Sequence, residues 1–315
     1  MRWDPSGVIF SWKGLELNFY SFFFGTAFLA ALFLVKWIVF AYFSRHPFYR
    51  EGDIKERREL AFKLQCPPDE VVEKLNRFSR EEGDLLFAKE VISLKERASL
   101  IAEMGWLVFF IGALIGSRLG HIFFYCSLRE VVADPFMIFR IYEGGLSSHG
   151  GVIGVLMALF IWIRWYREYF TPLRVLDLLS PPALLIAALI RLGNFFNQEL
   201  IGTVTTVPWA VTFVHPIGGV GGLPRHPVQL YESFFYFMGF ILLLWTWIKN
   251  KTTLPEGRLI GSLFFSVFLF RFVIEFLKEP HGYYTSESPL LMGQILSVPL
   301  IVIGYILLRK SYVGS

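Results

Sequence analysis

The sequence has few charged residues and very few cysteines, and both shortages exclude classes of protein. Lys, Arg, Asp and Glu make up 18% of the 315 residues, whereas soluble domains carry about 25% charge. The two cysteines, Cys66 and Cys126, are too few for a disulfide framework. The sequence has no CxxC, HExxH or histidine cluster that would suggest a metal site. No basic patch points to nucleic acid as a partner, although the formal net charge is +4.

Long apolar blocks are what the sequence does contain. Hydrophobic residues make up 54% of the chain, and 34 of them are phenylalanine. Blocks of about 20 residues, at about 1.5 Å per residue, match a hydrocarbon core of about 30 Å. They show no alternation of polar and apolar residues, so helices are expected and a membrane β-barrel is not. Seven transmembrane helices are predicted, at 17–43, 101–125, 150–166, 175–195, 229–248, 259–277 and 290–308.

The positions of the basic residues predict the orientation in the membrane. Twenty Lys and Arg residues fall in segments on one side of the predicted spans, and six fall on the other side. By the positive-inside rule, the C-terminus is cytoplasmic and the N-terminus lies outside. The first block, which is long and lacks a basic start, is not a cleavable signal peptide. Cys66 and Cys126 then lie on opposite sides of the membrane, so they are not expected to pair.

The predicted fold class is therefore an all-α polytopic membrane protein with about seven transmembrane helices. Residues 1–315 form a single transmembrane domain with two polar additions. Segment 45–97 predicts a cytoplasmic helical insertion, because it lacks an apolar block and has helix-start signals. Segment 197–228 is rich in Gly and Pro and predicts an irregular outer arm.

Ionisable residues inside the predicted spans are the candidates for function, because a charge at the bilayer centre costs about 2.5–3.5 kcal/mol or more. They are Lys36, Arg118, His121, Asp177, Arg191, Arg271 and Glu275. Arg191 and Arg271 lie toward the outer ends of two different spans, and together they predict a site for an anion such as phosphate. In the alternative, each arginine only pairs with a carboxylate. Arg271 would then pair with Glu275, and Arg191 with Glu199 or Asp177.

Further polar residues lie near the two arginines in the sequence. If the helices continue, two sets share a helix face: Arg191 with Asn194 and Gln198, and Arg271 with Glu275 and Lys278. The string RHPVQLYES adds a polar group where the fifth span starts: His226, Gln229, Tyr231 and Glu232. Lys36 is expected to reach the inner surface with its flexible stem, so it is given no role.

Two residues near span ends have open interpretations. His149, in GGLSSHGG, is either a catalytic base or a hydrogen-bonded residue at a helix start. Tyr20, in LNFYSFFFG, is either a buried hydrogen-bond donor or a tyrosine of the interfacial belt. Cys126, at the outer end of the second span, is more typical of a structural cysteine than of a catalytic thiol.

Several of these strings together resemble the prolipoprotein diacylglyceryl transferase family. They are GGLSSHGGVIG, RLGNFFNQELIG, RHPVQLYES, FRFVIEFLKEP and MGQILSVP, which occur in the family order from about residue 101 onward, and LNFYSFFFG near the start. The resemblance implies a seven-span enzyme of the bacterial inner membrane with periplasmic arm and head regions. It implies transfer of a diacylglyceryl group from phosphatidylglycerol to the lipobox cysteine of a preprolipoprotein, releasing glycerol phosphate. It implies no cofactor and no metal.

The resemblance also assigns roles to residues of this chain by motif position. Catalytic roles fall on Tyr20, His149, Arg191, Arg271 and Glu275. Phosphatidylglycerol binding falls on Arg191, Asn194, Asn197, Glu199, Gly202 and Arg271. Three positions depart from the family pattern: Ile190 replaces a usual Gly, Ser148 a usual aromatic residue, and Asn18 a frequent His. Segment 45–97 is longer than usual and the outer arm is shorter, which puts substrate specificity in question more than activity.

Two other classes of membrane protein would also carry arginines in their spans. A transporter of an anionic lipid or metabolite more often shows inverted repeats and helices broken at mid-depth, and the sequence shows neither. A structural scaffold does not need two outer arginines beside Asn and Gln. The enzyme is therefore the favoured interpretation, and an assay of transfer separates the three classes.

Overall fold

The computed structural model describes residues 1–5, 8–12, 15–43, 94–140, 147–167, 170–217, 220–250, 253–279 and 292–313. These residues contain eight α-helices: α1 Phe19–Phe43, α2 Leu94–Tyr125, α3 Leu128–Ala133, α4 Ser148–Trp165, α5 Pro172–Phe196, α6 Val228–Asn250, α7 Arg258–Ile274 and α8 Met292–Val313. Short 3₁₀ helices follow α3 and α7, at Pro135–Phe139 and Glu275–Leu277. Cys66 and the predicted insertion, apart from its last residues in α2, lie outside the described residues.

Among the described residues, six helices are long and apolar enough to cross a membrane. They are α1, α2, α5, α6, α7 and α8. Helix α4 takes the place of the predicted third span, but its apolar part, Gly150–Trp165, is shorter than the other six. The all-α polytopic class is therefore confirmed, with six full-length spans and one shorter apolar helix where seven spans were predicted.

Contacts divide the chain into two compact units, which we describe separately. Unit 1 comprises Met1–Val35 with Leu173–Ser315, and unit 2 comprises Lys36–Pro172.

In unit 2, α2 packs along α4 with the two backbones almost touching. A Cβ atom placed on Gly154 would lie 1.9 Å from the Gly112 carbonyl oxygen, and one on Gly116 would lie 2.4 Å from the Gly150 carbonyl oxygen. Glycine is therefore required at these crossing points. An apolar groove of about 920 Å³, lined by residues of α2 and α4, runs beside this contact.

Two charged residues of the predicted spans in unit 2, Lys36 and Arg118, have structural partners. Lys36 Nζ lies 2.5 Å from Glu103 Oε1, so Lys36, which was given no role, has a partially exposed ion-pair partner in α2. Arg118 is buried, and its guanidinium donates to the carbonyl oxygens of Ile138, at 3.2 Å from Nε, and of Met137. Arg118 therefore holds the 3₁₀ helix against α2.

In unit 1, short strands accompany the helices. Strand β1, Arg2–Trp3, pairs in parallel with β4, Val211–Phe213, which pairs antiparallel with β5, Pro224–Arg225. Strands β2, Val8–Trp12, and β3, Leu15–Asn18, form an antiparallel pair that leads into α1. The predicted outer arm thus contains β4 and β5 and is not irregular throughout. These strands are too short to give an alternating sequence pattern.

A buried aromatic cluster fixes the end of α5. Phe195, Ile201, Val211 and Phe213 are buried together. The Trp3 ring lies 4.6 Å from the Phe195 ring, centroid to centroid, and its indole Nε1 donates to the Phe195 carbonyl oxygen at 3.2 Å. The strands of the arm therefore anchor the helix end at which RLGNFFNQELIG begins.

Candidate active site

The string RLGNFFNQELIG covers the end of α5 and the turn after it. Gln198 and Leu200 have φ angles of 53° and 52°, in the left-handed region, so the chain turns back after the helix. The predicted face shared by Arg191, Asn194 and Gln198 is therefore wrong for Gln198. Its side-chain Oε1 instead accepts a hydrogen bond from the backbone N–H of His215 at 2.8 Å.

A chain of hydrogen bonds connects four of the predicted site residues. Arg191 Nη1 donates to Asn194 Oδ1 at 3.3 Å, and Asn194 Nδ2 donates to Glu199 Oε2 at 3.0 Å. Asn197 Nδ2 donates to the other carboxylate oxygen, Glu199 Oε1. Gln229, on α6, donates from Nε2 to the Glu199 carbonyl oxygen at 2.6 Å. The turn thus brings Glu199 back over α5, with its carboxylate held by both asparagines.

The ion-pair partner of Arg191 is Glu232, on α6. Arg191 Nε lies 3.1 Å from Glu232 Oε2, and Lys278 Nζ lies 2.9 Å from Glu232 Oε1. The Glu232 side chain is completely buried, and a carboxylate at such a position requires paired cations. Within the described chain Arg191 forms no ion pair with Glu199. It also lies fourteen residues from Asp177 along α5, about 21 Å at a rise of about 1.5 Å per residue.

Tyr236, one turn after Glu232 on α6, connects the two arginines. Its hydroxyl is buried and donates to Glu232 Oε1 at 3.4 Å. The same hydroxyl interacts electrostatically with both Arg191 and Arg271. Arg191 of α5 therefore contacts α6, and Arg271 of α7 lies within electrostatic range of the same hydroxyl.

Arg271 differs from Arg191 in its neighbours. In the parts of the chain that the structure describes, Arg271 forms no ion pair, so the alternative in which it pairs with Glu275 is not seen. Glu275 Oε2 instead lies 3.5 Å from Lys278 Nζ. Glu275 also packs against α8, where a Cβ on Gly293 would lie 2.4 Å from Glu275 Oε1. Glu275 thus contacts α8 and Lys278.

Tyr20 lies against the same group from the start of α1. A Cβ on Gly193 of α5 would lie 3.2 Å from Cδ2 of the Tyr20 ring, so this glycine allows the close approach. The Tyr20 hydroxyl interacts electrostatically with Glu199 and Arg191. The structure therefore places Tyr20 with the residues of the α5 turn.

Gly202 occupies a position where the backbone segments of three motifs meet. A Cβ there would lie 2.4 Å from the His226 carbonyl oxygen and 2.9 Å from the Leu277 carbonyl oxygen. The buried Arg225 donates from Nη1 to the Gly202 carbonyl oxygen at 3.0 Å and forms an ion pair with Glu279. Gly202 therefore belongs to the frame of the site.

His149 has a separate position. It is the second residue of α4, in unit 2, directly after Ser148 at the helix start. Its side chain lies outside the part of the structure that is described, so its role remains a prediction.

The charges around Glu232 determine which cation is left for a ligand. Glu232 is shared by Arg191 and Lys278, and Glu275 faces Lys278. Arg271 is the cation that no described carboxylate neutralises. A guanidinium has five N–H donors in a planar fork, which suits the oxygens of a phosphate group. The described residues contain no group of three or more His, Cys, Asp or Glu side chains that would hold a metal ion.

Four residues that complete this arrangement had no role predicted from the sequence, namely Arg225, Glu232, Tyr236 and Lys278. Three of them lie in RHPVQLYES and FRFVIEFLKEP, strings that the sequence analysis had singled out. The pairing of Glu232 with Arg191 joins two helices and has no local signal. Tyr236 follows Glu232 by four residues, a spacing that places both on one helix face and could have identified it.

Comparison with known proteins identifies the family. Residues 85–309 match the sequence profile of the family described as prolipoprotein diacylglyceryl transferase. Two relatives are named phosphatidylglycerol–prolipoprotein diacylglyceryl transferase. The one from Protochlamydia amoebophila is 42% identical over 243 residues, which is 76% of this chain and 64% of the relative. The one from Chloroherpeton thalassium is 45% identical over 203 residues, 64% of this chain and 72% of the relative. The chain therefore belongs to the prolipoprotein diacylglyceryl transferase family.

Proposed function

We propose that the chain transfers the diacylglyceryl group of phosphatidylglycerol to the thiol of a lipobox cysteine in preprolipoproteins. Glycerol phosphate is released, and the reaction is the first step of lipoprotein maturation. Family membership supports this reaction. The observation that carries the site is Arg271. This cation, at a membrane helix end, interacts electrostatically with the same Tyr236 hydroxyl as Arg191 and has no carboxylate partner among the described residues.

The proposed location is the bacterial inner membrane, with the N-terminus and the outer arm in the periplasm and the C-terminus in the cytoplasm. The excess of twenty Lys and Arg residues over six supports this orientation. The site residues at the ends of α5 and α7 then lie near the external leaflet, next to membrane lipids.

In the proposed mechanism, the arginines act on the leaving group. The bond between the glyceryl carbon and the phosphate oxygen breaks, and negative charge grows on that oxygen. Arg191 and Arg271, in surroundings of low dielectric constant, stabilise this charge more in the transition state than in the ground state. Glu232, which also pairs with Lys278, holds Arg191 in position, and this supports the proposed role.

The attacking thiol must lose its proton, because a cysteine thiol with a pKa near 8.5 is a nucleophile only as the thiolate. His149 is the candidate base, and the positive field of the arginines is the alternative. Asn194 and Tyr20 are proposed to hold the headgroup or the thiol. Glu199 orients Asn194 for this task through their hydrogen bond of 3.0 Å.

A transfer assay with purified protein, phosphatidylglycerol and a lipobox peptide tests the proposal, with mass spectrometry as the readout. We expect the peptide to gain the mass of a diacylglyceryl group, and a peptide with Ser in place of the lipobox Cys to gain none. Arg271→Ala is expected to abolish transfer while the protein still inserts. Arg164→Ala, at an exposed arginine of α4, is the matched control and should keep wild-type activity. A wild-type protein that leaves the peptide unmodified overturns the proposal, and wild-type turnover by Arg271→Ala removes Arg271 from it.

A further inference from the structure

Asp177 is a completely buried carboxylate that the proposed mechanism does not use. It lies near the start of α5 and accepts three backbone hydrogen bonds from another helix. Its Oδ2 accepts from the N–H of Gly257 at 2.7 Å, and its Oδ1 accepts from the N–H groups of Leu259 and Ile260, both at 2.9 Å. These groups belong to the first turn of α7, which begins at Arg258.

Helix α7 needs this external acceptor. The first N–H groups of a helix have no partner within the helix, and a side chain at the N-cap position usually accepts from them. The N-cap of α7 is Gly257, with a φ of 84° and no side chain to supply a hydrogen bond. Unsatisfied N–H groups are especially unfavourable where water is scarce, as in a membrane. Asp177 therefore caps α7 from α5 and ties the two helices together at this level.

This tie, formed by the hydrogen bonds between Asp177 and the first turn of α7, is equally far from the two arginines along their helices. Arg191 follows Asp177 by fourteen residues along α5, and Arg271 follows Gly257 by fourteen residues along α7. At about 1.5 Å per residue, each arginine is about 21 Å from the tie. Arg191 hydrogen-bonds to the Tyr236 hydroxyl and Arg271 interacts with it electrostatically, so the two helices run from Asp177 and Gly257 toward the same region.

Helix α5 is not a rigid rod between the tie and Arg191. Pro181 and Pro182 lie inside it, and each proline removes a backbone N–H donor and favours a kink. The height of Arg191 relative to α7 therefore depends on contacts between helices. The Asp177 cap supplies such a contact at one end, and the Glu232 ion pair supplies one at the other end.

We infer that Asp177 is a positioning residue: by capping α7 from α5, it sets the register of these two helices and brings Arg191 and Arg271 to the same depth. The catalytic consequence is that both arginines bind the same phosphate group, and this part rests on the proposed function. The register of the two helices does not depend on the proposed function, and it can be measured separately.

A distance measurement on the full chain in nanodiscs tests the register. Nitroxide labels are placed at Leu200→Cys and Val273→Cys, which are exposed positions near the outer ends of α5 and α7. Cys66 and Cys126 are first replaced by Ser, and pulsed electron paramagnetic resonance then gives the distance distribution.

Three substitutions form the series. Asp177→Ala is expected to shift or broaden the distribution by between one residue and one turn of helix, about 1.5 to 5.4 Å. Asp177→Asn keeps one oxygen acceptor and should give a smaller change, and it carries the test if Asp177→Ala does not fold. Ser180→Ala is the matched control, because the Ser180 hydroxyl donates within α5, to the Leu176 carbonyl oxygen at 2.7 Å. An unchanged distribution in both Asp177 variants overturns the inference.

Kinetics on the unlabelled variants distinguish positioning from general stability. A displacement of about 1 Å in the reacting geometry can lower the rate about 100-fold, so Asp177→Ala should lower kcat per folded molecule by about 10- to 100-fold with a smaller change in KM. A merely structural role would lower the folded fraction and leave kcat unchanged, and that result overturns the catalytic consequence. If the wild type itself is inactive, the proposed function fails while the distance measurement still decides the register.

Discussion

The two compact units share close glycine crossings between helices and differ in their buried ion pairs. In unit 2, α2 and α4 meet backbone to backbone, with Gly112 and Gly116 against Gly150 and Gly154. In unit 1, Gly261 of α7 and Gly304 of α8 also approach closely, and a Cβ on Gly304 would lie 3.0 Å from the Gly261 carbonyl oxygen. Unit 1 has in addition buried charged side chains that connect α5 to its neighbours: Asp177 to α7, and Arg191 to Glu232 of α6. Lipid chains are as apolar as the helices, so close packing and polar contacts replace the hydrophobic effect between membrane helices.

These two kinds of contact have different consequences for function. A glycine crossing permits close approach but does not direct any side chain. A buried ion pair fixes the position and orientation of the groups that form it, as Glu232 does for Arg191 and Lys278. Unit 1 is therefore suited to hold catalytic groups, whereas the α2–α4 contact is suited to hold a scaffold. Substitutions that add volume at a glycine crossing should damage either unit, and substitutions that remove a buried charge should damage unit 1 most.

The largest expected effect is that of Gly154→Leu in unit 2. A Cβ at this position would already lie 1.9 Å from the Gly112 carbonyl oxygen, so the helices would have to separate. We expect no monodisperse folded protein by size-exclusion chromatography and circular dichroism. Gly25→Leu, on α1, is the matched control, because a Cβ there has no neighbour within 4 Å. A Gly154→Leu protein that melts at the wild-type temperature would show that this contact does not hold unit 2 together.

The next effect is that of Glu232→Gln in unit 1. The substitution keeps the shape of the side chain but leaves Arg191 and Lys278 without their shared carboxylate. Removal of one partner from a buried ion pair costs about 3–5 kcal/mol. Thermal unfolding in detergent should show this loss, and Lys278→Gln as a second change should recover part of it by removing one unpaired cation. Arg129→Gln, at an exposed arginine of α3, should leave the melting temperature unchanged.

Sequence patterns predicted the helices well because lipid imposes a simple requirement on each span. Every backbone polar group must be satisfied within the span, so an apolar block of sufficient length indicates a helix without reference to the rest of the chain. The apolar blocks predicted near residues 17–43 and 229–248 accordingly appear as Phe19–Phe43 and Val228–Asn250. The shorter apolar block at 150–166 appears as a shorter helix, Ser148–Trp165, because the length of the apolar block sets the length of the helix.

Pairings between helices were harder to predict, because they depend on which spans are neighbours. The carboxylates expected to pair with Arg191 were Glu199 and Asp177, which lie on or next to the same predicted span. The observed partner is Glu232 of α6. Asp177 accepts from the first turn of α7, about eighty residues later in the chain, and no local pattern indicates such a cap. The positive φ of Gln198 likewise depends on the packing of the arm and has no propensity signal.

His149, on α4 of unit 2, is the candidate base for the lipobox thiol, and its substitution tests this role. If His149 is the base, His149→Gln should lower transfer at pH 7 by about 100-fold or more. The loss should become smaller above pH 8.5, where the lipobox thiol ionises without help. Transfer assays across pH 6–9 measure this. Activity near the wild-type level at pH 7 would instead assign thiol activation to the arginines of unit 1.

The smallest effect is expected for the ion pair of Lys36 with Glu103 in unit 2. This pair tests whether an exposed ion pair stabilises the protein less than the buried ion pairs of unit 1 do. Its atoms are 2.5 Å apart, closer than those of Arg191 and Glu232, but its side chains are 29% and 48% exposed. Glu103 lies near the start of its apolar span, Ser99–Phe123, where a lysine can reach water at the membrane surface. Such exposed pairs contribute little, so Lys36→Met should shift the melting temperature by no more than about 2 °C.

A double-mutant cycle of Lys36→Met with Glu103→Gln, followed by thermal unfolding, measures the coupling between these two residues. A coupling as large as that of Glu232 with Lys278 would show that the presence of charge, and not its burial, stabilises these helices. The ion pairs would then not distinguish unit 1 from unit 2. The exposed pair of Lys36 with Glu103 and the buried pair of Lys278 with Glu232 join the same two kinds of charged group and differ in burial. A coupling near zero for the exposed pair would therefore indicate that burial makes the ion pairs of unit 1 rigid enough to position Arg191.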